Sequence, residues 1–304
     1  MSMSDGRPFA GLGIAVVGGD TREQEIARLA AEAGAVVRAY GFPWPPGGIQ
    51  GVAGSASAAE AMTSADYALF PVPGMALDGS LYAPDAPEPV LPDSALLGLL
   101  APGAAVILGR AGNVLQQAAK AAGVALYEYE GDAELMFLRG PAIVEGALAV
   151  AITNSAVTIH GENVGVVGFG NIGGLLARTF ALLGATAHVF ARNPVQRAAA
   201  YATGCQPHPL EELGTCAPRL AMLFSTVPAP VVGRGILERM PAGSLVVDVA
   251  APPGGVDLGA AEALGLRAVW ARGLGRSAPV TVGRSQWQGI ARRIEEHERS
   301  KQGK

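Results

Sequence analysis

The chain has 304 residues, half of them apolar, with 22 basic and 26 acidic side chains for a formal charge of −4. That composition excludes a disordered chain, and at roughly 100–200 residues per domain it predicts about two folded domains. No Lys/Arg run is dense enough to track a phosphate backbone, so nucleic acid is not an expected partner.

The first apolar run, Ile14-Ala-Val-Val17, ends in Gly18-Gly19. It is too short for the apolar core of a signal peptide and reads as a strand. Residues 21–33 carry apolar side chains at 26, 27, 29, 30 and 33, a helical spacing, with Asp20 as N-cap and Glu23 as its capping-box partner. Gly34 stops that helix and residues 35–40 resume as a strand, giving a βαβ unit over 13–40. A loop with three prolines and Trp44 follows over 41–54. Strands are predicted at 67–72 and 104–109 around a Pro-rich excursion over 71–92, then a helix at 114–122 and a strand at 125–129.

Residues 141–158 place apolar side chains at 143, 144, 147, 148, 151 and 152, predicting one long connector helix that opens at Pro141. Glu145 and Asn154 interrupt it, so it reads as a buried helix and not a membrane span. A second α/β series then runs through strands at 164–167, 187–190, 220–225 and 244–249, with helices at 172–183, 195–203 and 232–240. The amphipathic stretch from Gln286 reads as a crossover helix returning to the first domain, and residues 300–304 as a frayed tail. The expected fold is α/β, with two doubly wound parallel-sheet domains: 1–140 with 281–304, and a Rossmann domain over 141–280. Cys205 and Cys216 lack metal or disulfide spacing and read as reduced thiols in a cytoplasmic protein.

Gly168-Phe169-Gly170-Asn171-Ile172-Gly173 follows an apolar strand and opens a helix, the setting that a dinucleotide fingerprint requires. Gly168 permits the turn, Gly170 leaves backbone bare for a pyrophosphate, and Gly173 lets helix and strand pack. The following strand does not end in the acid that would bind the ribose 2′-hydroxyl of NAD. It ends in Ala191-Arg192-Asn193, and the Arg192 guanidinium suits the 2′-phosphate of NADP, so NADP is expected over NAD, the alternative being that Arg192 is a solvated loop charge. Arg197, one helical turn on, either helps the same phosphate or faces water. The turn at Gly18-Gly19-Asp20 is not a second fingerprint; its amides with Arg22 either hold a small carboxylate or simply cap the helix.

An ordered set of segments resembles the family formed by the A subunit of dipicolinate synthase, over nearly the whole chain. It comprises Ile14 to Arg22, Val144-Glu145-Gly146, Thr158-Ile-His-Gly161, the fingerprint, residues 177–185, Ala191-Arg192, Thr226-Val227-Pro228, Asp248-Val-Ala250 with Pro253-Gly254-Gly255, and Gly273-Leu274 leading to Ala278-Pro279. The resemblance implies pyridine-nucleotide-dependent oxidation of dihydrodipicolinate to dipicolinate during sporulation, in partnership with a flavoprotein-like B subunit. Ala250-Ala251-Pro252, where the family leads one to expect a polar or basic residue, and a shorter loop at 273–279 depart from the pattern.

A dicarboxylate substrate needs cationic or amide donors, and hydride transfer needs a closed cleft, expected between the domains. Candidate donors are Arg22, Arg110, Asn113, Arg272 and Arg276, with Gly254 and Gly255 as substrate-side backbone. Glu145 reads either as a stabiliser of the connector helix N-terminus or as a proton acceptor. His160 reads as a structural or a catalytic histidine near the hinge, and Thr226, a further catalytic candidate, is placed with Val227 and Pro228 at the carboxyl edge where nicotinamide is expected. Asp248 is expected to fix the loop around Gly254. Alternative readings are a 2-hydroxy-acid or amino-acid dehydrogenase, for which the expected Arg and His are missing, and a non-catalytic NADP-binding scaffold. No metal site is predicted, and self-association into a homo-oligomer is left open.

Overall fold

In the computed structural model of the chain, residues 7–72, 74–76 and 78–302 are described. They form two compact units, one up to residue 138 and again from 278, the other over 139–277.

In the first unit the chain runs β1 (Gly13–Val17), α1 (Thr21–Glu32), β2 (Val36–Tyr40), β3 (Val52–Gly54), α2 (Ala58–Met62), β4 (Tyr67–Leu69), α3 (Ser94–Leu97), β5 (Ala105–Leu108), α4 (Asn113–Ala122), β6 (Ala125–Glu128) and the start of α5 (Ala133–Asn154). The six strands are parallel in the order β3-β2-β1-β4-β5-β6, with Val16 opposite both Ala39 and Leu69. β4 and β5 are buried along their whole length, as continuous apolar runs covered by helices on both faces must be.

The predicted capping box forms at α1. Asp20 accepts from the Arg22 amide, and Glu23 Oε2 accepts from the Asp20 amide at 2.7 Å. The loop expected over 41–54 is broken by β3, and α2 and α3 were not anticipated, because three- to five-residue elements show no resolvable periodicity. The excursion after residue 71 is irregular, with an antiparallel bridge between Met75 and Leu81; residues 73 and 77 lie outside the described set.

The second unit takes the rest of α5 and continues with β7 (Asn163–Val167), α6 (Asn171–Leu182), β8 (Thr186–Phe190), α7 (Pro194–Ala202), β9 (Gln206–His208), α8 (Leu213–Cys216), β10 (Met222–Ser225), α9 (Arg234–Leu237), β11 (Leu245–Asp248), α10 (Leu258–Ala263) and β12 (Arg267–Trp270). Its sheet is also six-stranded and parallel, in the order β12-β11-β10-β7-β8-β9. α11 (Pro279–Gln302) then packs on α1 of the first unit. There Gly283 lies so close that a Cβ would stand 2.6 Å from the Arg22 carbonyl.

Several boundaries differ from the sequence reading. The connector helix does not open at Pro141 or reach Thr158: it begins at Ala133, carries Pro141 in its interior and stops at Asn154. Proline normally ends a helix, but packing holds both halves of this one, Leu135 in the first unit's core and Val144, Ala147 and Ala151 in the second's. By length and composition α5 would suit a membrane span, yet these three residues are core. The helix expected at 232–240 shortens to α9, while β9, α10 and β12 were missed. Residues 300–302 continue α11 instead of fraying; 303 and 304 lie outside the described set.

Candidate dinucleotide site

The turn between β7 and α6 lies at the carboxyl ends of the strands, where the order reverses on either side of β7, the position at which open α/β sheets bind ligands. Its glycines serve three different ends. Gly168 has φ +91°, and a Cβ there would stand 2.6 Å from Thr226 Oγ1. A Cβ on Gly173 would overlap the Gly168 carbonyl, so helix and strand close only without one.

Gly170 has an ordinary φ of −83° and open space where its Cβ would be. Neither strain nor internal crowding therefore requires glycine at 170. It is the N-cap of α6 and no side chain caps that helix, so the amides of the first turn face outward without an internal carbonyl. A bare, positively polarised helix end fits a dinucleotide pyrophosphate. Phe169, Asn171 and Ile172 around it are partly exposed.

At the end of β8, Arg192 and Asn193 are exposed. Asn193 caps α7 through the Val195 amide at 2.8 Å, while the Arg192 guanidinium has no protein partner among the described residues. Arg197 does not face water alone, since its Nη1 donates to the Ala191 and Arg192 carbonyls at 2.8 and 2.7 Å.

The Thr226 hydroxyl donates to the Val167 carbonyl at 2.9 Å and packs behind Gly168 and Gly173. It braces the fingerprint turn, and its one proton is committed there, which removes it as a proton donor in catalysis. Val227 is half-buried against Gly168 and Pro228 is exposed at the same edge. Asp248, at the end of β11, accepts from Ala250, Gly255 and Val256 amides at 3.0, 2.6 and 3.1 Å. Gly254 and Gly255 are thus buried structural backbone: the Gly254 amide donates to the Ala251 carbonyl and the Gly255 amide to Asp248, leaving neither for substrate.

Of the other two expected catalytic residues, His160 lies away from the turn. His160 is exposed before the amino end of β7, and its Nδ1 meets the Leu183 carbonyl at the far end of α6, about 18 Å of helix away from Gly170. Glu145 is exposed in the middle of α5, so it does not stabilise a helix N-terminus. The family-like Val144-Glu145-Gly146 has a packing reason, because a Cβ on Gly146 would stand 2.8 Å from the Leu274 carbonyl.

In the first unit Arg22 is 7% exposed and forms a bidentate pair with Asp20 at 2.8 and 2.7 Å. The nearby amides are occupied as well: Gly18 donates to Tyr40, Gly19 to Tyr82, and Asp20 and Val72 to Glu23. Among the described residues no open carboxylate pocket is left at this turn. Arg110 and Asn113 are exposed where β5 leads into α4, whose N-terminus has no side-chain cap. Arg272 stacks over Trp270 at 5.3 Å, and Arg276 is exposed.

Sequence reasoning missed the second role of Glu23. Its Oε1 reaches the Val72 amide at 2.6 Å, tying α1 to the end of β4, and burial pushes its pKa up to about 7 despite the two amides that favour the carboxylate. It also missed the pair formed by His188 Nδ1 and His208 Nε2 at 3.0 Å. Burial, with Arg219 and His208 adding, lowers His188 to about 4. Neither contact had a local sequence signal, since the partners lie on different strands or loops.

A parallel sheet opening on a bare glycine turn defines the second unit as a dinucleotide-binding domain, and the family that it matches makes it that of a dehydrogenase. Residues 145–251 accordingly match the family model of the D-isomer specific 2-hydroxyacid dehydrogenase, NAD binding domain. Residues 13–130 match the model of the N-terminal domain of the dipicolinate synthase A subunit. The chain is 30% identical over 276 residues to the A subunit of dipicolinate synthase from Bacillus subtilis, covering 90% of this chain and 93% of that protein, and it belongs to that family.

Crystal structures of the A subunit of dipicolinate synthase from Bacillus halodurans and from Bacillus subtilis superpose with TM-scores of 0.85 and 0.84, each at 28% identity. They cover 93% and 97% of this chain, and 98% and 99% of their own. A transhydrogenase from Sinorhizobium meliloti, at 15% identity, TM-score 0.68 and 93% of each chain, shares the fold.

Proposed function

We propose that this chain is the NADP-dependent dehydrogenase of a dipicolinate synthase, acting in the cytoplasm of sporulating cells on dihydrodipicolinate beside a flavoprotein-like B subunit. The observation that carries the reading is the near full-length likeness to the A subunit of dipicolinate synthase from Bacillus subtilis. Bound in the second unit, the nicotinamide would accept a hydride while the substrate ring releases a proton, giving the aromatic dicarboxylate. The chain's own part is to hold the pyrophosphate on the first-turn amides of Asn171, Ile172 and Gly173, and the 2′-phosphate on Arg192. No acid stands at the end of β8 to favour a free 2′-hydroxyl, and Arg192 has no competing carboxylate among the described residues. Arg110 and Asn113 are exposed donors of the first unit that suit a substrate carboxylate, and exposed Glu145 of α5 is the proton acceptor of this reading.

Freshly generated dihydrodipicolinate, NADP and the B subunit should yield NADPH and pyridine-ring ultraviolet absorption. Turnover of pyruvate or another 2-oxo acid with NAD(P)H, and no aromatic product, would replace this reading by a 2-hydroxy-acid dehydrogenase.

A further inference from the structure

Arg197 stands at the start of α7, where a cation opposes the helix dipole and where the first turn carries no acid to offset it. Its guanidinium makes a contact that points elsewhere. The contact is a single Nη1 group shared between two consecutive carbonyls, Ala191 at 2.8 Å and Arg192 at 2.7 Å. The same three-residue segment is fixed from its other ends: the Ala191 amide donates to the His208 carbonyl of β9 at 3.1 Å, and the Asn193 side chain caps Val195. With both carbonyls turned back toward α7, the backbone of Arg192 is held while its guanidinium is left exposed and without a protein partner among the described residues.

We infer that Arg197 is a positioning residue for dinucleotide selection: it locks the Ala191–Arg192 backbone so that the Arg192 guanidinium is presented to the 2′-phosphate. The inference rests on the NADP reading above. Holding the loop in advance removes an ordering cost that would otherwise weaken the phosphate contact, and that contact exists only with NADP. A residue that served the fold alone would affect both cofactors alike. One that touched the phosphate itself would still weaken NADP with Arg192 removed.

The test is calorimetric titration of the full chain with NADP and with NAD for the parent, Arg192→Ala, Arg197→Met and the double variant. Arg197→Met should weaken NADP about tenfold, the scale of one charge-assisted contact, and NAD less than about twofold. In the Arg192→Ala background it should add nothing, the signature of residues acting as a unit. Should Arg197→Met fail to fold, Arg197→Gln, too short to reach both carbonyls, should show the same split.

Equal losses for both cofactors, no loss at all, or an additive loss in the double variant would each overturn the inference while leaving the NADP reading intact. A parent that binds NAD as well as NADP, with Arg192→Ala altering neither, would instead remove the NADP reading and this inference with it.

Discussion

Asp248 Oδ2 accepts the Gly255 amide at 2.6 Å, so the carboxylate that ends β11 folds the loop after it back over its own strand. A Cβ on Gly254 would stand 2.7 Å from the same oxygen, and one on Gly255 would overlap Ser225 Oγ and the Val227 carbonyl, which explains why two glycines follow the prolines there. Together with Ala250 and Val256, three amides depend on one buried side chain.

Replacing Asp248 by Ala should therefore destabilise the second unit by about 2–4 kcal/mol, because buried donors to a charged acceptor are left without partners. Asp248→Asn, which keeps one acceptor, should cost less. Chemical denaturation read by near-ultraviolet dichroism checks the order; equal stability of all three proteins would show the loop to be held by other means.

The glycines of the fingerprint should separate binding from folding. Gly170→Val should keep the parent's unfolding temperature, since open space receives its side chain, yet abolish cofactor binding by covering the first-turn amides. Gly173→Ala should unfold the second unit instead, since a Cβ there overlaps the Gly168 carbonyl. Native cofactor affinity in folded Gly170→Val would mean that the turn has no ligand.

Arg22→Met should act on stability and not on substrate affinity. It would take the bidentate guanidinium from Asp20, 6% exposed, while Asp20 keeps the Arg22 amide, so the loss falls at or below the about 3–5 kcal/mol of breaking a buried pair from one side. Thermal unfolding of the first unit should fall well below the parent. A stable variant with a raised KM would return Arg22 to the substrate site.

The two units should respond to pH in opposite directions. Glu23 moves from 4.5 to about 7 on folding, so its contribution is full below pH 4.5 and is lost as pH rises through 7. His188 falls from 6.5 to about 4, so its contribution is full above pH 6.5 and is lost as pH drops through 4. Each shift corresponds to about 3 kcal/mol at its limit. In denaturation series across pH 4–8.5, Glu23→Gln should remove a fall in stability as pH rises from 4.5 to 7, and His188→Gln a fall as pH drops from 6.5 to 4; slopes unchanged by both variants would assign the pH dependence to other groups.

The sequence by itself determined the layer type, both parallel sheets, the capping box at Asp20 and Glu23, and the fingerprint at Gly168, Gly170 and Gly173. These are local: strand and helix periods, caps and tight turns are set by residues a few positions apart. Pro141, also local, misled for the same reason, since only the cores around Leu135 and Val144 hold the helix through the proline. Which polar groups were already engaged was decided by tertiary structure alone. Thr226 reaches Val167, Glu23 reaches Val72 and His188 of β8 reaches His208 of β9. A hydrogen bond or ion pair consumes a donor's capacity wherever the partner comes from in the chain, so side chains that look free for chemistry in sequence become braces once the sheet brings their partners beside them.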